Sequence, residues 1–247
     1  MKTKALFSAS LFVAGLAFAG TTQVTDEYVL GAMPLTISGK EVIINIPWVE
    51  AGSGGTTIAV SNIVKTANLA AGDKLLWYNP SGSPSGYRAW ELTDGVGGVK
   101  YWNAISSVTM SGVSVVAADT PALSRGQALI LNRSADTATT IYIVGQYTSS
   151  NASATISPGY NLLAPPATSG VTDLKSLTWT GAVAGDKIIV PPNVDYVWDG
   201  EKWVQYSYDK TENPQWQVIV PVTMPISVGT GFWYVHGGSG SFDITWP

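Results

Sequence analysis

The 247-residue chain has no cysteine and only one histidine, which excludes several kinds of chemistry at once. Without cysteine there is no disulfide and no thiol nucleophile, and a zinc site would have to combine carboxylates with a single imidazole. Stability must therefore come from apolar burial, aromatic packing and backbone hydrogen bonds. If the chain is exported, the absence of disulfides fits a bacterial envelope better than a small eukaryotic secreted domain.

Charge is also scarce, because Asp, Glu, Lys and Arg make up 12% of the chain and the acidic residues outnumber the basic ones by 17 to 13. Nucleic-acid binding draws its affinity from clustered Lys and Arg, so we expect no nucleic-acid partner. Beyond the first twenty residues, no apolar run approaches the ~20 residues that cross a bilayer, and no transmembrane segment is expected there. We expect no metal and no cofactor.

The first nineteen residues have the pattern of an export signal. Lys2 and Lys4 precede an apolar run that ends in Ala17-Phe18-Ala19, the small-x-small sequence that signal peptidase accepts. The run is short for a retained membrane anchor, and no cysteine follows it for lipid attachment. We therefore predict a signal peptide over residues 1–19 and export to the extracellular space, the cell surface or the periplasm. Its removal takes two of the 13 basic residues and leaves a formal charge near −6.

Short runs of Val, Ile, Thr, Tyr and Trp recur between clusters of Gly, Pro, Asn and Asp, while sustained helical periodicity is almost absent. This pattern predicts an all-β protein with short helical turns at Ser61–Leu69 and Thr172–Leu177. The predicted strands are Glu41–Ile46, Lys74–Tyr78, Tyr87–Leu92, Val108–Val116, Gln127–Asn132, Thr139–Tyr147, Tyr160–Leu163, Lys187–Val190, Tyr196–Trp198, Lys202–Tyr208, Gln215–Val220, Gly231–Val235 and Ser241–Trp246.

One tetrapeptide occurs twice, since Ala71-Gly72-Asp73-Lys74 returns 113 residues later as Ala184-Gly185-Asp186-Lys187. The aromatic residues, Ser-x-Gly turns and closing strands that follow keep their order, although a Gly-rich β-protein can also produce such an echo by chance. The sequence therefore predicts two tandem, diverged β-sandwich or barrel-like domains at residues 41–148 and 159–247. Residues 149–158 would be a linker. Residues 20–40 would be an extended N-terminal segment that docks on its own domain or pairs with another subunit.

A hairpin around Asp199-Gly200 is the strongest local signal, because Asp-Gly favours a two-residue turn. Whether the loop has two or four residues, alternation along its strands places four side chains on one face, and two carboxylates lie nearby: Tyr196, Trp198, Trp203 and Gln205, with Asp195 and Glu201. This face could stack sugar rings, with the polar groups bonding hydroxyls, or it could be an aromatic ladder packed inside its own domain. The carboxylates match no calcium loop, and a solvated turn explains them better. The echoed pair, Asp73 and Asp186, is expected to cap a turn before each strand.

No catalytic constellation stands out. His236 lies between an apolar strand and a Gly-rich turn without a Gly-x-Ser-x-Gly elbow, so we predict a surface or turn residue. We expect no catalytic residue and no enzymatic activity. The sequence favours a secreted or cell-surface structural or adhesive protein that associates with itself or other envelope proteins through sheet edges. The alternative is a carbohydrate-binding module that uses the hairpin aromatics on a polysaccharide.

Overall fold

The computed structural model describes residues 24–25, 28–46, 57–59, 64–65, 68–80, 86–105, 122–146, 151–166, 169–191, 194–209, 215–221, 223–227 and 229–247. The predicted signal peptide and the predicted strand at 108–116 lie outside these residues. Within them, no helix combines the length and the apolar character that a membrane crossing requires.

The protein is nearly all β, which confirms the predicted class. The described part of the first half contains a 3-10 turn at Val96–Gly98 and these strands: β1 Val24–Thr25, β2 Tyr28–Ile37, β3 Glu41–Asn45, β4 Thr57–Ala59, β5 Val64–Lys65, β6 Lys74–Asn79, β7 Gly86–Asp94, β8 Lys100–Ile105, β9 Ala122–Ser124, β10 Ala128–Asn132 and β11 Thr139–Gln146. Strand β5 lies where the sequence predicted a helical turn, because the β-branched Val64 is buried against the sheet.

The described part of the second half contains eight strands and a 3-10 turn at Leu174–Ser176, inside the predicted helical stretch. Its strands are β12 Ala152–Ile156, β13 Gly159–Leu163, β14 Lys187–Val190, β15 Val194–Trp198, β16 Trp203–Asp209, β17 Gln215–Ile219, β18 Phe232–His236 and β19 Phe242–Trp246.

Two large antiparallel sheets dominate the fold. Their strand orders are β3-β10-β6-β7-β8 and β13-β18-β14-β15-β16-β17. In each sheet an early strand lies at one edge, a late strand pairs next to it, and the intervening strands follow in chain order. The remaining pairs form smaller sheets, β1-β2-β11-β5, β12-β19 and β4-β9. The two large sheets therefore share one connectivity.

Three of the described strands, β1, β2 and β12, lie in segments that the sequence did not assign to either domain. β2 pairs with β11 of its own chain along eight positions, so the N-terminal segment docks intramolecularly. β12 occupies part of the predicted linker and pairs with β19. Its small side chains resemble a linker in composition, but every second one, at Ala152, Ala154 and Ile156, is buried.

Three apolar cores separate these layers. The first lies between β2-β11 and the five-stranded sheet, and the second lies between β12-β19 and the six-stranded sheet. The third, which includes Ile43, Leu76, Ile130 and Leu162, joins the two large sheets to each other. Because side chains alternate along a strand, Ile44 faces the first core while its neighbour Ile43 faces the third. Strands β3, β6 and β10 of the five-stranded sheet consequently bury side chains on both faces.

The junction between the large sheets, called the seam below, is also bridged by reciprocal backbone contacts. The Asn45 amide donates to the Gly229 carbonyl at 3.2 Å, and the Ala164 amide donates to the Gly126 carbonyl at 3.1 Å. Each edge strand, β3 and β13, thus meets the Ser-x-Gly turn of the other half. Such reciprocity is typical of a two-fold interface.

Candidate functional site

The hairpin selected from sequence points its aromatic face inward. Trp198 pairs with Trp203 across β15 and β16, and the side chains of Tyr196 and Trp203 are buried in the second core. Trp198 is half-buried and meets Trp203 at 5.2 Å between ring centroids. Burial also raises the pKa of Tyr196. Most of the predicted platform is therefore an aromatic ladder inside the fold.

The polar members of that predicted site lie elsewhere. Asp195 and Glu201 are exposed, and Gln205 is half-buried in the part of β16 that pairs with β17. The six candidate residues do not converge on one accessible surface, so the structure offers no sugar platform on this hairpin face.

The last ladder pair, Trp198 with Trp203, leaves a loop of four residues, 199–202, which is one of the two loop lengths that the sequence allowed. The Asp199 amide donates to the Lys202 carbonyl at 3.0 Å, which leaves Gly200, with φ of 110°, and Glu201 in the centre. The Asp199 carboxylate accepts the amides of Glu201 and Lys202 at 2.9 and 2.8 Å, and these bonds lower its pKa. The carboxylate thus serves the turn, as expected for Asp in such positions.

His236 is buried, contrary to the prediction of a surface or turn residue. Its Nδ1 lies 2.9 Å from Oδ2 of Asp186, and its Nε2 lies 2.9 Å from the Gly240 carbonyl. Tyr234 donates its hydroxyl to the same carboxylate at 2.6 Å, and the Gly237 amide donates to it at 2.8 Å. The Gly-rich turn folds back over the imidazole ring and buries it. A Gly-rich sequence by itself resembles an exposed loop, which is why the burial was not predicted.

The Asp186 carboxyl is the centre of this buried network. Burial by itself raises its pKa, but the bonds from Tyr234, Gly237, His236 and Val183 outweigh that effect and hold the pKa below its usual value. In a Ser-His-Asp arrangement the second imidazole nitrogen faces the nucleophile, whereas here it faces the Gly240 carbonyl. The geometry is that of a structural network.

Asp73 occupies the matching place in the first half. Its carboxylate accepts the amide of Ala70 at 2.9 Å, as Asp186 accepts that of Val183 at 3.1 Å. Asp73 also accepts the amide and hydroxyl of Ser134, each at 2.8 Å. Both echoed aspartates thus stabilise the turn that precedes a strand, which is the role predicted for them. Across the described segments, no group of three His, Asp or Glu residues is placed to hold a metal ion.

A ribbon formed by residues 205–209 and 215–219 extends the six-stranded sheet. β16 pairs with β15 only at Trp203 and Val204, whereas from Gln205 to Asp209 it pairs with β17 alone. The apolar side chains of Tyr206, Val218 and Ile219 are exposed on it, Val218 to 60%. β17 is the last strand of this sheet among the residues described.

A second accessible feature lies at the seam, where both halves contribute to a cleft of about 370 Å³. It is lined by Tyr78, Tyr87, Tyr160, Ile189 and Trp233, and is called the seam cleft below. Sequence reasoning missed it, because its members come from five strands in two halves and no local pattern connects them. Of these residues, only Tyr78 and Tyr87 lie close together in the sequence, where they pair across the adjacent strands β6 and β7.

Aromatic rings form most of its wall. The centroids of Tyr78, Tyr87 and Tyr160 lie 5.6, 6.4 and 6.0 Å from that of Trp233, with interplanar angles of 75°, 82° and 88°. Three phenol rings thus stand nearly perpendicular to one indole. Burial, with smaller effects from the negative charge of Glu41 and from Tyr78 and Tyr160, raises the pKa of Tyr87 to about 12.

No protein-family model, no curated protein and no solved structure matches the chain.

Proposed function

We propose that this protein is a non-catalytic, exported structural or adhesive β-protein that associates with further copies of itself through the ribbon. The observation that carries the proposal is the exposed apolar ribbon at the end of the six-stranded sheet. Export is inferred from the N-terminal signal pattern. A non-catalytic role is inferred because His236 is buried and both of its ring nitrogens are engaged, one by Asp186 and one by the Gly240 carbonyl.

An isolated two-stranded ribbon is marginally stable in water. Because β16 and β17 continue as such a ribbon past the end of β15, a partner that covers them is favoured. Natural edge strands usually carry charges or proline that prevent pairing with another chain. Gln215–Ile219 has neither, and its prolines, Pro214 and Pro221, lie outside the strand. A second strand can therefore add to this edge without meeting a repelling charge.

A second copy of this chain is the partner that the ribbon fits best. Two β17 strands running antiparallel about a two-fold axis would join two six-stranded sheets into one, and each would cover the other's Val218 and Ile219. The same surface would suit another envelope protein with an open edge.

We also propose that the chain consists of two diverged copies of one β-sandwich unit. The shared strand order of the large sheets, the matching bonds of Asp73 and Asp186, and the reciprocal contacts at the seam support this. On this view β2 and β12 are the first strands of their units, and the seam is an internal two-fold interface.

Val218→Lys tests the association, because a lysine on the edge strand opposes strand addition. We expect sedimentation velocity to show that association of the wild type rises with concentration. The variant should associate at least about tenfold more weakly. Val96→Lys is the matched control, since Val96 is fully exposed on the 3-10 turn away from the ribbon. Circular dichroism verifies that both variants are folded.

The proposal predicts that Val96→Lys associates as the wild type does. A wild-type protein that stays monomeric at every concentration would contradict self-association. Equal weakening by both lysines would assign the effect to net charge and not to the ribbon, and would equally count against it.

Carbohydrate binding by the predicted hairpin is the less favoured function. Of its three aromatic candidates only Trp198 has partial access to solvent, and a stacking platform needs an exposed ring face.

A further inference from the structure

The seam cleft is a concave space lined mostly by aromatic rings, whereas the ribbon is an exposed sheet edge. Small-ligand sites are concave, mostly apolar and supplied with a few polar groups, and they span roughly 300–1,000 Å³. The seam cleft, at about 370 Å³, lies near the lower end of that range, and its polar groups are three phenol hydroxyls and one indole N–H.

Rings that meet at right angles around a small space form the arrangement that binds organic cations. Each aromatic face carries partial negative charge, and a quaternary ammonium within about 6 Å of several ring centroids is attracted to all of them. Trp233 offers the most favourable ring for this interaction, and Tyr78, Tyr87 and Tyr160 stand nearly perpendicular to it.

Two carboxylates lie near the seam cleft. Glu41 is close enough to act electrostatically on Tyr87. Asp195 lies directly across from Ile189 in the β14–β15 ladder, so the exposed carboxylate shares a sheet face with a residue of the cleft wall. Lys187 lies on the same face, two residues before Ile189, and like Asp195 it is outside the wall.

A sugar is the competing ligand, and the seam cleft suits it less well. Sugar sites surround the ring with amide and carboxylate groups that bond several hydroxyls, together with one broad stacking face. None of the lining residues is an amide or a carboxylate, and the phenol rings stand nearly perpendicular to the indole, so they do not form one broad stacking face.

We propose that the seam cleft is an aromatic cage that binds a quaternary ammonium group, such as that of a choline-type compound. Each half of the chain supplies part of the cage, because β6 and β7 provide Tyr78 and Tyr87 while β13 and β18 provide Tyr160 and Trp233. This inference does not depend on the ribbon or on self-association.

The experiment compares choline with 3,3-dimethyl-1-butanol, which has nearly the same shape but carbon in place of the charged nitrogen. Tryptophan indole signals in ¹H–¹⁵N spectra are followed while each compound is added to tens of millimolar. We expect saturable shifts with choline, and binding of the neutral analogue that is at least about fivefold weaker. Glucose is titrated in parallel.

Tyr160 is the residue to replace, because it is 53% exposed and its loss is tolerable to the fold. Tyr160→Leu should weaken choline binding by roughly threefold to tenfold, whereas Tyr160→Phe, which keeps the ring, should retain most of it. Tyr142→Leu is the matched control at another exposed tyrosine, 42% accessible on β11, and should bind as the wild type does.

Equal affinity for choline and its neutral analogue would overturn the proposal in favour of a plain apolar cleft. Binding of glucose without choline, or no binding at all, would overturn it as well. If wild-type association broadens the spectra, the titrations can be made in Val218→Lys, which alters the ribbon and leaves the seam cleft intact.

Discussion

At the scale of single residues, Asp186 has the greatest structural consequence in the second half. Its carboxylate accepts hydrogen bonds from Tyr234, His236, Gly237 and Val183 in the protein interior. A buried carboxylate with this many donors stabilises the fold only while it is ionised. Its removal would leave several buried donors without an acceptor, which is costly.

Asp186→Asn should therefore lower the free energy of unfolding by about 3 kcal/mol at neutral pH, measured by urea denaturation. The folded pKa of Asp186 lies below its unfolded value near 3.8. The stabilisation is thus present above the unfolded value and is lost as pH falls through the folded one. The difference between wild type and variant should shrink in acid over that range.

Asp195→Asn is the matched control, because Asp195 is exposed on the adjoining strand and should change stability by less than about 0.5 kcal/mol. A difference between wild type and Asp186→Asn that stays constant down to acid pH would contradict this account of the carboxylate.

The sequence could show that Asp73 and Asp186 matter, but not what surrounds them. The tetrapeptide echo and the turn role were readable because an Asp before a strand bonds nearby amides. The partners Tyr234 and His236 lie about fifty residues further on, in a strand whose pairing with β14 only the fold defines. Sequence reasoning consequently left His236 at the surface.

At the scale of elements, the close approach of β3 and β18 across the seam depends on Gly231, which has no side chain. A Cβ at Gly231 would lie 2.5 Å from Cγ2 of Ile43 and 2.6 Å from the Leu163 carbonyl oxygen. Neither neighbour can retreat easily, since one is packed in the third core and the other is backbone. The position therefore fixes the separation of β3 and β18.

Gly231→Ala should lower the free energy of unfolding by about 1–3 kcal/mol, because overpacking forces the two sheets apart. Gly240→Ala is the matched control, since no atom lies within 4 Å of the added Cβ there. Thermal denaturation followed by circular dichroism measures both. Equal melting temperatures for Gly231→Ala and wild type would show that the seam yields at no cost.

Elements were predictable where a short apolar run lay between turn residues, as in β6, β10 and β18. β12 was not, because Ala, Ser and Thr satisfy a strand and a linker equally well until burial is known. The hairpin aromatics fitted both a sugar platform and an internal aromatic ladder for the same reason. Alternation groups side chains on one face but does not say whether another layer covers that face. The second core covers it.

At the scale of the whole molecule, the third core makes the two halves interdependent. Leu162 and Ala164 of one half pack with Ile43, Leu76 and Ile130 of the other, all buried. Neither large sheet could expose this surface without losing apolar burial, which contributes about 25 cal/mol per Å². The backbone bonds that cross the seam in both directions add to the coupling.

We therefore expect both halves to unfold in one cooperative transition, although independent domains of this size often unfold separately. Hydrogen exchange in increasing urea, read by mass spectrometry, can follow peptides from residues 68–80 and from residues 229–247 in the same sample. Their unfolding midpoints should coincide in wild type, and Leu162→Ala should shift both by the same amount. If instead that variant shifted only the peptides of the second half, the halves would be separate folding units and the seam a surface contact between them.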